Sequence, residues 1–129
     1  MWLKEKIING MRRVLLRPEK VEYIRILEYP CGQGTGGCFA VGVDGVEYTS
    51  RQKLHFPAGT GICFLMSPDD KEYWCDDSVI IAALCRFLYT YNFKINYEWP
   101  ERGSELPLLS RHESRKYLRW HQIPHPGKY

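Results

Sequence analysis

Cys38-Phe39-Ala40-Val41-Gly42-Val43-Asp44-Gly45-Val46-Glu47-Tyr48-Thr49 is the stretch on which the fold turns. Asp-Gly stands between two runs rich in β-branched and aromatic residues. Both residues tolerate the positive φ that a type I′ turn requires, and that turn matches the twist of paired strands. The stretch therefore predicts a two-residue hairpin. Its register sets Val43 opposite Val46 and Cys38 opposite Arg51.

Towards the C-terminus, residues 62–66 and 71–75 repeat the pattern around Ser67-Pro68-Asp69-Asp70. Proline at the second turn position and aspartate beside it suit a type I turn. A four-residue loop sets Met66 opposite Lys71 and Cys63 opposite Trp74. Cys63 and Cys75 then point to opposite faces and do not bridge. Asp76-Asp77-Ser78 reads as a helix start, with capping oxygens and negative charge at the positive end of the helix dipole. Residues 78–91 follow as a helix that is apolar almost all round, which predicts a buried core helix, with Asn92 as its left-handed cap. Residues 54–56 and 95–99 read as short strands. Residues 100–107 read as a loop, 108–120 as a basic helix and 122–129 as an irregular tail rich in proline.

Towards the N-terminus, residues 31–37 form a loop with four glycines. Residues 21–29 read as a strand that is apolar on both faces and so central in its sheet. Over residues 1–17, Leu3, Ile7, Met11 and Val14 recur at helical spacing, with Ile8 and Leu15 widening the stripe. This predicts a basic amphipathic helix packed on the domain, with a membrane surface as the alternative resting place. Asn9-Gly10 costs that helix about 1 kcal/mol, and Pro18 ends it. The expected architecture is a single α+β domain over residues 1–129. An antiparallel sheet of hairpins carries the 78–91 helix on one face, with amphipathic N- and C-terminal helices around it.

Composition agrees with a packed domain. The 129 residues are 44% hydrophobic and 26% charged, which is enough apolar surface to exclude a disordered chain. No run of 18 apolar residues exists to span a membrane. The net charge of +3 is unevenly spread: residues 1–20 carry +4, 21–60 carry −1, 61–100 carry −3 and 101–129 carry +3. Basic ends favour an anionic partner. Five cysteines, an odd number without any C-x-x-C, exclude a complete intrachain disulfide framework. Charge at Lys4, Glu5 and Lys6 interrupts any secretory core. The expected compartment is reducing and cytoplasmic.

The strongest candidate for chemistry is the C-terminal helix. Arg111, Arg115 and Arg119 are spaced i, i+4, i+8 and form one row, with His112, Lys116 and Trp120 on the next. Arginine forks suit phosphate oxygens, and an exposed tryptophan can stack on a base. A second candidate is the glycine loop. Gly32-x-Gly34-x-x-Gly37 has the spacing of a dinucleotide fingerprint, but that motif must open a helix and here a strand follows. What remains is a backbone at Gly34, Thr35 and Gly36 that can approach an anion closely.

The expected function is non-enzymatic binding of a phosphate-bearing ligand: a nucleotide or nucleotide-like signal first, nucleic acid second. The alternatives are a protein-interaction or inhibitor module and a small cysteine-dependent enzyme built on Cys38 and His55. Partners are then an anionic small molecule or nucleic acid, with a protein partner or homo-oligomer open. No spacing calls for a metal or a cofactor.

Overall fold

The computed structural model describes residues 2–8, 11–28, 38–51, 63–93 and 101–120. Nine elements follow in order: β1 (Trp2–Ile8), β2 (Met11–Arg17), β3 (Val21–Glu28), β4 (Cys38–Val43), β5 (Val46–Arg51), β6 (Cys63–Met66), β7 (Glu72–Cys75), α1 (Ser78–Phe93) and α2 (Arg111–Trp120). The strands form one seven-stranded sheet in the order β1-β2-β7-β6-β5-β4-β3. Every neighbouring pair is antiparallel except β2 with β7. The class is α+β.

The Asp44-Gly45 hairpin has its expected register, from Val43 opposite Val46 to Cys38 opposite Arg51. Asp44 (φ 50°) and Gly45 (φ 80°) supply the two positive φ angles. The Asp44 carboxylate also accepts hydrogen bonds from the backbone N–H groups of Glu19 (3.0 Å) and Lys20 (2.8 Å), tying this turn to the one between β2 and β3. On β4, the ring of Tyr23 lies over Gly42. A Cβ there would fall 2.2 Å from its Cε1, so only glycine fits.

The amphipathic helix expected over residues 1–17 is replaced by two strands. β1 and β2 pair in unbroken register from Trp2 opposite Arg17 to Ile8 opposite Met11, leaving two residues, Asn9 and Gly10, between them. Asn-Gly between β-capable runs is the same hairpin signal as Asp44-Gly45. In a helix the glycine is a cost; between strands it is the favoured residue. The packing of β2 agrees. Leu15 and Leu16 are both fully buried although they point to opposite faces, as in a central strand covered on both sides. Leu16 joins the main core and Leu15 packs with Trp74 in a separate cluster.

The second hairpin is shifted by one residue from its expected register. Met66 faces Glu72 and Cys63 faces Cys75. The cause is Asp70, which adopts φ 62° and makes the loop three residues, Pro68-Asp69-Asp70. Asp70 N–H donates to the Ser67 carbonyl (3.0 Å), and Ser67 N–H to the Lys71 carbonyl (2.8 Å). This is a type I turn closed by a left-handed residue. Cys63 and Cys75 consequently share a face as buried free thiols.

β3 is the last strand of the sheet, not a central one. Its outer edge is covered by residues 103–106, with Ile26 N–H donating to Ser104 (3.0 Å) and Leu106 N–H to Ile24 (2.7 Å). The expected strands at 54–56 and 95–99, the loop at 31–37 and the tail at 122–129 lie outside the described residues.

The main core lies between one face of the sheet and the helices. Ile24, Ile26, Phe39, Val41 and Leu65 meet Ile80, Ile81 and Leu84 of α1 and Leu118 of α2. Phe39 and Phe87 pack edge to face at 5.7 Å, a pairing worth about 1 kcal/mol beyond its buried area. Residues 78–91 are helical as expected, but α1 runs on through Asn92 to Phe93, so Asn92 is part of the helix and not its left-handed cap. α2 packs against α1.

Candidate functional site

α2 begins with a capping box. The Ser110 hydroxyl accepts from Glu113 N–H (3.1 Å), and the Glu113 carboxylate accepts from Ser110 N–H (3.4 Å). This fixes the helix start at Arg111, so residues 108–110 of the expected 108–120 helix lie outside it. Ser114 and Leu118 are buried and turn one side of α2 to the core, while Tyr117 is half-buried beneath the Arg86 guanidinium, 6.0 Å from its ring centre.

The three row arginines have different surroundings. Arg111 turns inwards. Its Nη1 pairs with the Asp77 carboxylate, and its Nη2 donates to the carbonyls of Pro18 and Glu19, each at 3.1 Å. Asp77 is buried and caps α1, accepting from Val79 N–H (2.9 Å) and Ile80 N–H (3.4 Å). One guanidinium thus joins the starts of both helices to the β2–β3 turn, and Arg111 has a structural role. Arg115 and Arg119 are exposed, as is Lys116 on the adjoining row. The outward face carries those three cations against one carboxylate, Glu113.

Trp120 closes the helix and is 76% exposed, the most open large apolar side chain among the described residues. Beside it is an open concavity of about 330 Å³ lined by Leu109, Glu113, Lys116, Tyr117 and Trp120. The structure therefore brings Arg115, Lys116, Arg119 and Trp120 onto one solvent-facing surface. Gly34, Thr35 and Gly36 lie outside the described residues, so the glycine loop is not placed against α2. His55 lies outside them too, while Cys38 is buried at the start of β4.

A second polar group escapes sequence reasoning. Asp76, just after β7, is buried, with Oδ1 3.6 Å from Nη1 of Arg17 at the end of β2. Neither carboxylate oxygen has a hydrogen-bond partner among the described residues, and the same is true of Arg17 Nε and Trp74 Nε1. The parallel pairing of β2 with β7 brings Arg17 and Asp76 together, and no local motif announces it. Of the two aspartates at this junction, Asp77 caps the helix and Asp76 pairs across the sheet.

Two thiols of the core, Cys63 and Cys85, sit where the thiolate is disfavoured. Contact with Cys75 and then burial push the Cys63 thiol well above its ordinary range. Burial pushes Cys85 to about 12. On the opposite sheet face, the Tyr23 hydroxyl donates to Glu47 (2.7 Å), as does Arg25 (2.6 Å). The Tyr23 hydrogen bond is the main cause that holds the Glu47 carboxyl below its usual range and raises the Tyr23 phenol. No group of three His, Cys, Asp or Glu side chains among the described residues is arranged to hold a metal ion. Likewise, no helix among them is long and apolar enough to cross a membrane.

Compared with protein-family models, curated proteins and solved structures, the chain matches none.

Proposed function

We propose that the protein is a non-enzymatic binding protein for a phosphate-bearing ligand, held on the outward face of α2. Arg115, Lys116 and Arg119 supply the charge, and Trp120 supplies a stacking surface for a base. The observation that carries this reading is the exposure of Trp120 beside that cationic face. An indole left so open forgoes roughly 1.5–3 kcal/mol of burial. Cations spaced i, i+4 on one row repel one another until an anion binds. Arg111 supports the face from behind by fixing the start of the helix.

Thermal unfolding against nucleotides and short oligonucleotides tests the reading. A ligand at about 100 times its Kd stabilises by about 2.7 kcal/mol, a rise of several degrees for a domain of this size. Arg115→Glu is expected to abolish the rise while leaving the unliganded midpoint close to wild type. A flat panel would sink the reading.

A protein-interaction module is the second reading. It draws on Phe64 and Met66, each 37% exposed on the sheet face away from α1. Capture of a stable protein partner, lost on Phe64→Ser, would favour it.

A further inference from the structure

We infer that the ligand of the α2 face is a single-stranded nucleic acid rather than a mononucleotide or a duplex. The inference rests on the anion-binding reading above and narrows it. Among the described residues, the open concavity beside Trp120 is bounded by side chains of α2 and by Leu109, just before that helix. A small-ligand site buries most of its ligand between several elements, and one helix face cannot enclose a free nucleotide. Affinity on an open face comes from repeated contacts along a polymer, each weak and mostly electrostatic.

The layout of α2 suits such a polymer. Successive residues turn by about 100°, which puts Arg119 close to the row of Arg115, then Lys116, then Trp120. Arg115 and Arg119 are about 6 Å apart along the axis, a distance comparable to that between neighbouring phosphates on an extended strand. A backbone running along the arginine row leaves its bases directed across Lys116 towards the indole. Glu113 lies next to Trp120 on the side away from the arginine row, and its carboxylate accepts from Ser110 N–H at the helix start. A duplex keeps its base faces stacked and offers the indole nothing, whereas an unpaired strand exposes them. Stacking on one aromatic side chain is worth roughly 5- to 160-fold in affinity.

The test uses the full chain and a fluorescein-labelled short oligothymidylate, followed by anisotropy across a salt series. Competitors are ATP, a duplex of the same length and inorganic polyphosphate. The expected result is binding whose log Kd rises with log salt at a slope of about 2, from three cations at about 0.7 each. Trp120→Ala weakens binding at least fivefold and leaves the slope unchanged, and Trp120→Phe restores most of the loss. Arg119→Glu lowers both the affinity and the slope. If ATP binds as tightly as the oligothymidylate, the strand inference falls and the phosphate reading stands. Equal competition by polyphosphate, with Trp120→Ala silent, would likewise leave charge alone and overturn the strand. Preference for the duplex would also overturn it. If no anion binds, both readings fall.

Discussion

The two ends of α2 carry the same residue type on the same helical row and put it to different uses. At the first turn, Arg111 gives its guanidinium to Asp77 and to two backbone carbonyls. At the last turn, Arg119 faces water beside Trp120, and Arg115 faces water between them. A buried carboxylate needs a cation, and the Asp77 cap sits where only the first of the three arginines reaches it. The difference shows that an arginine row is not by itself a binding site. Its members must first be sorted by what the rest of the fold already asks of them.

The largest expected effect belongs to the inner end. Asp77→Ala removes the α1 cap and strands Arg111, and should cost about 3 kcal/mol in urea unfolding. Arg111→Ala leaves the cap but takes the cation from a buried carboxylate. Since Arg111 is itself 37% exposed, a loss of about 2 kcal/mol is expected. A loss under about 0.5 kcal/mol for both would break the contrast, because Arg111 would then be as free as its row-mates. At the outer end, Arg115→Glu and Arg119→Glu should each change stability by less than about 0.5 kcal/mol while removing ligand binding. Should either unfold the protein as Arg111→Ala does, the outer face is structural too.

The smallest effect is on the far side of the sheet and depends on pH. Glu47 is held below its ordinary range by the Tyr23 hydroxyl first, with Arg25 adding to it. A depressed carboxyl stabilises the fold above its unfolded value of 4.5, and that contribution is lost as pH falls through the lower folded value. Tyr23→Phe should therefore be slightly less stable than wild type at neutral pH, and the gap should close below about pH 4. A gap that widens on acidification would contradict this sign.

Local chemistry made much of the fold legible. Asp44-Gly45 fixed a turn, a pairing and a register, because two residues with positive φ leave the chain few choices. The apolar run after Asp77 declared α1 buried, because no face of it was fit for water. The N-terminal hairpin is a harder case. Leu3, Ile7, Met11 and Val14 satisfy a helical period by coincidence, and Asn9-Gly10 outweighs them only when weighed as a turn. The second hairpin depended on one residue: Asp70 entering the left-handed region shortened the loop and moved Cys63 opposite Cys75.

The site was legible in the same uneven way. The outward arginines follow from helical spacing, but the expected start at residue 108 is three residues early, because Ser110 and Glu113 cap each other and open α2 at Arg111. The partner of Arg111 lies 34 residues back along the chain, and that of Arg17 lies on a strand paired in parallel. Pairings of that kind are set by topology, which spacing does not reveal.

The most direct measurement follows the indole N–H signals by NMR while an oligothymidylate is added, with the Trp120 signal assigned through Trp120→Phe. The Trp120 signal is expected to move with the titration and Arg115→Glu to abolish the movement, while the signal of Trp74, in its buried cluster, stays fixed. A still Trp120 signal alongside a shifting Trp74 would contradict it, because the ligand would then be bound at the sheet and not on the outer face of α2.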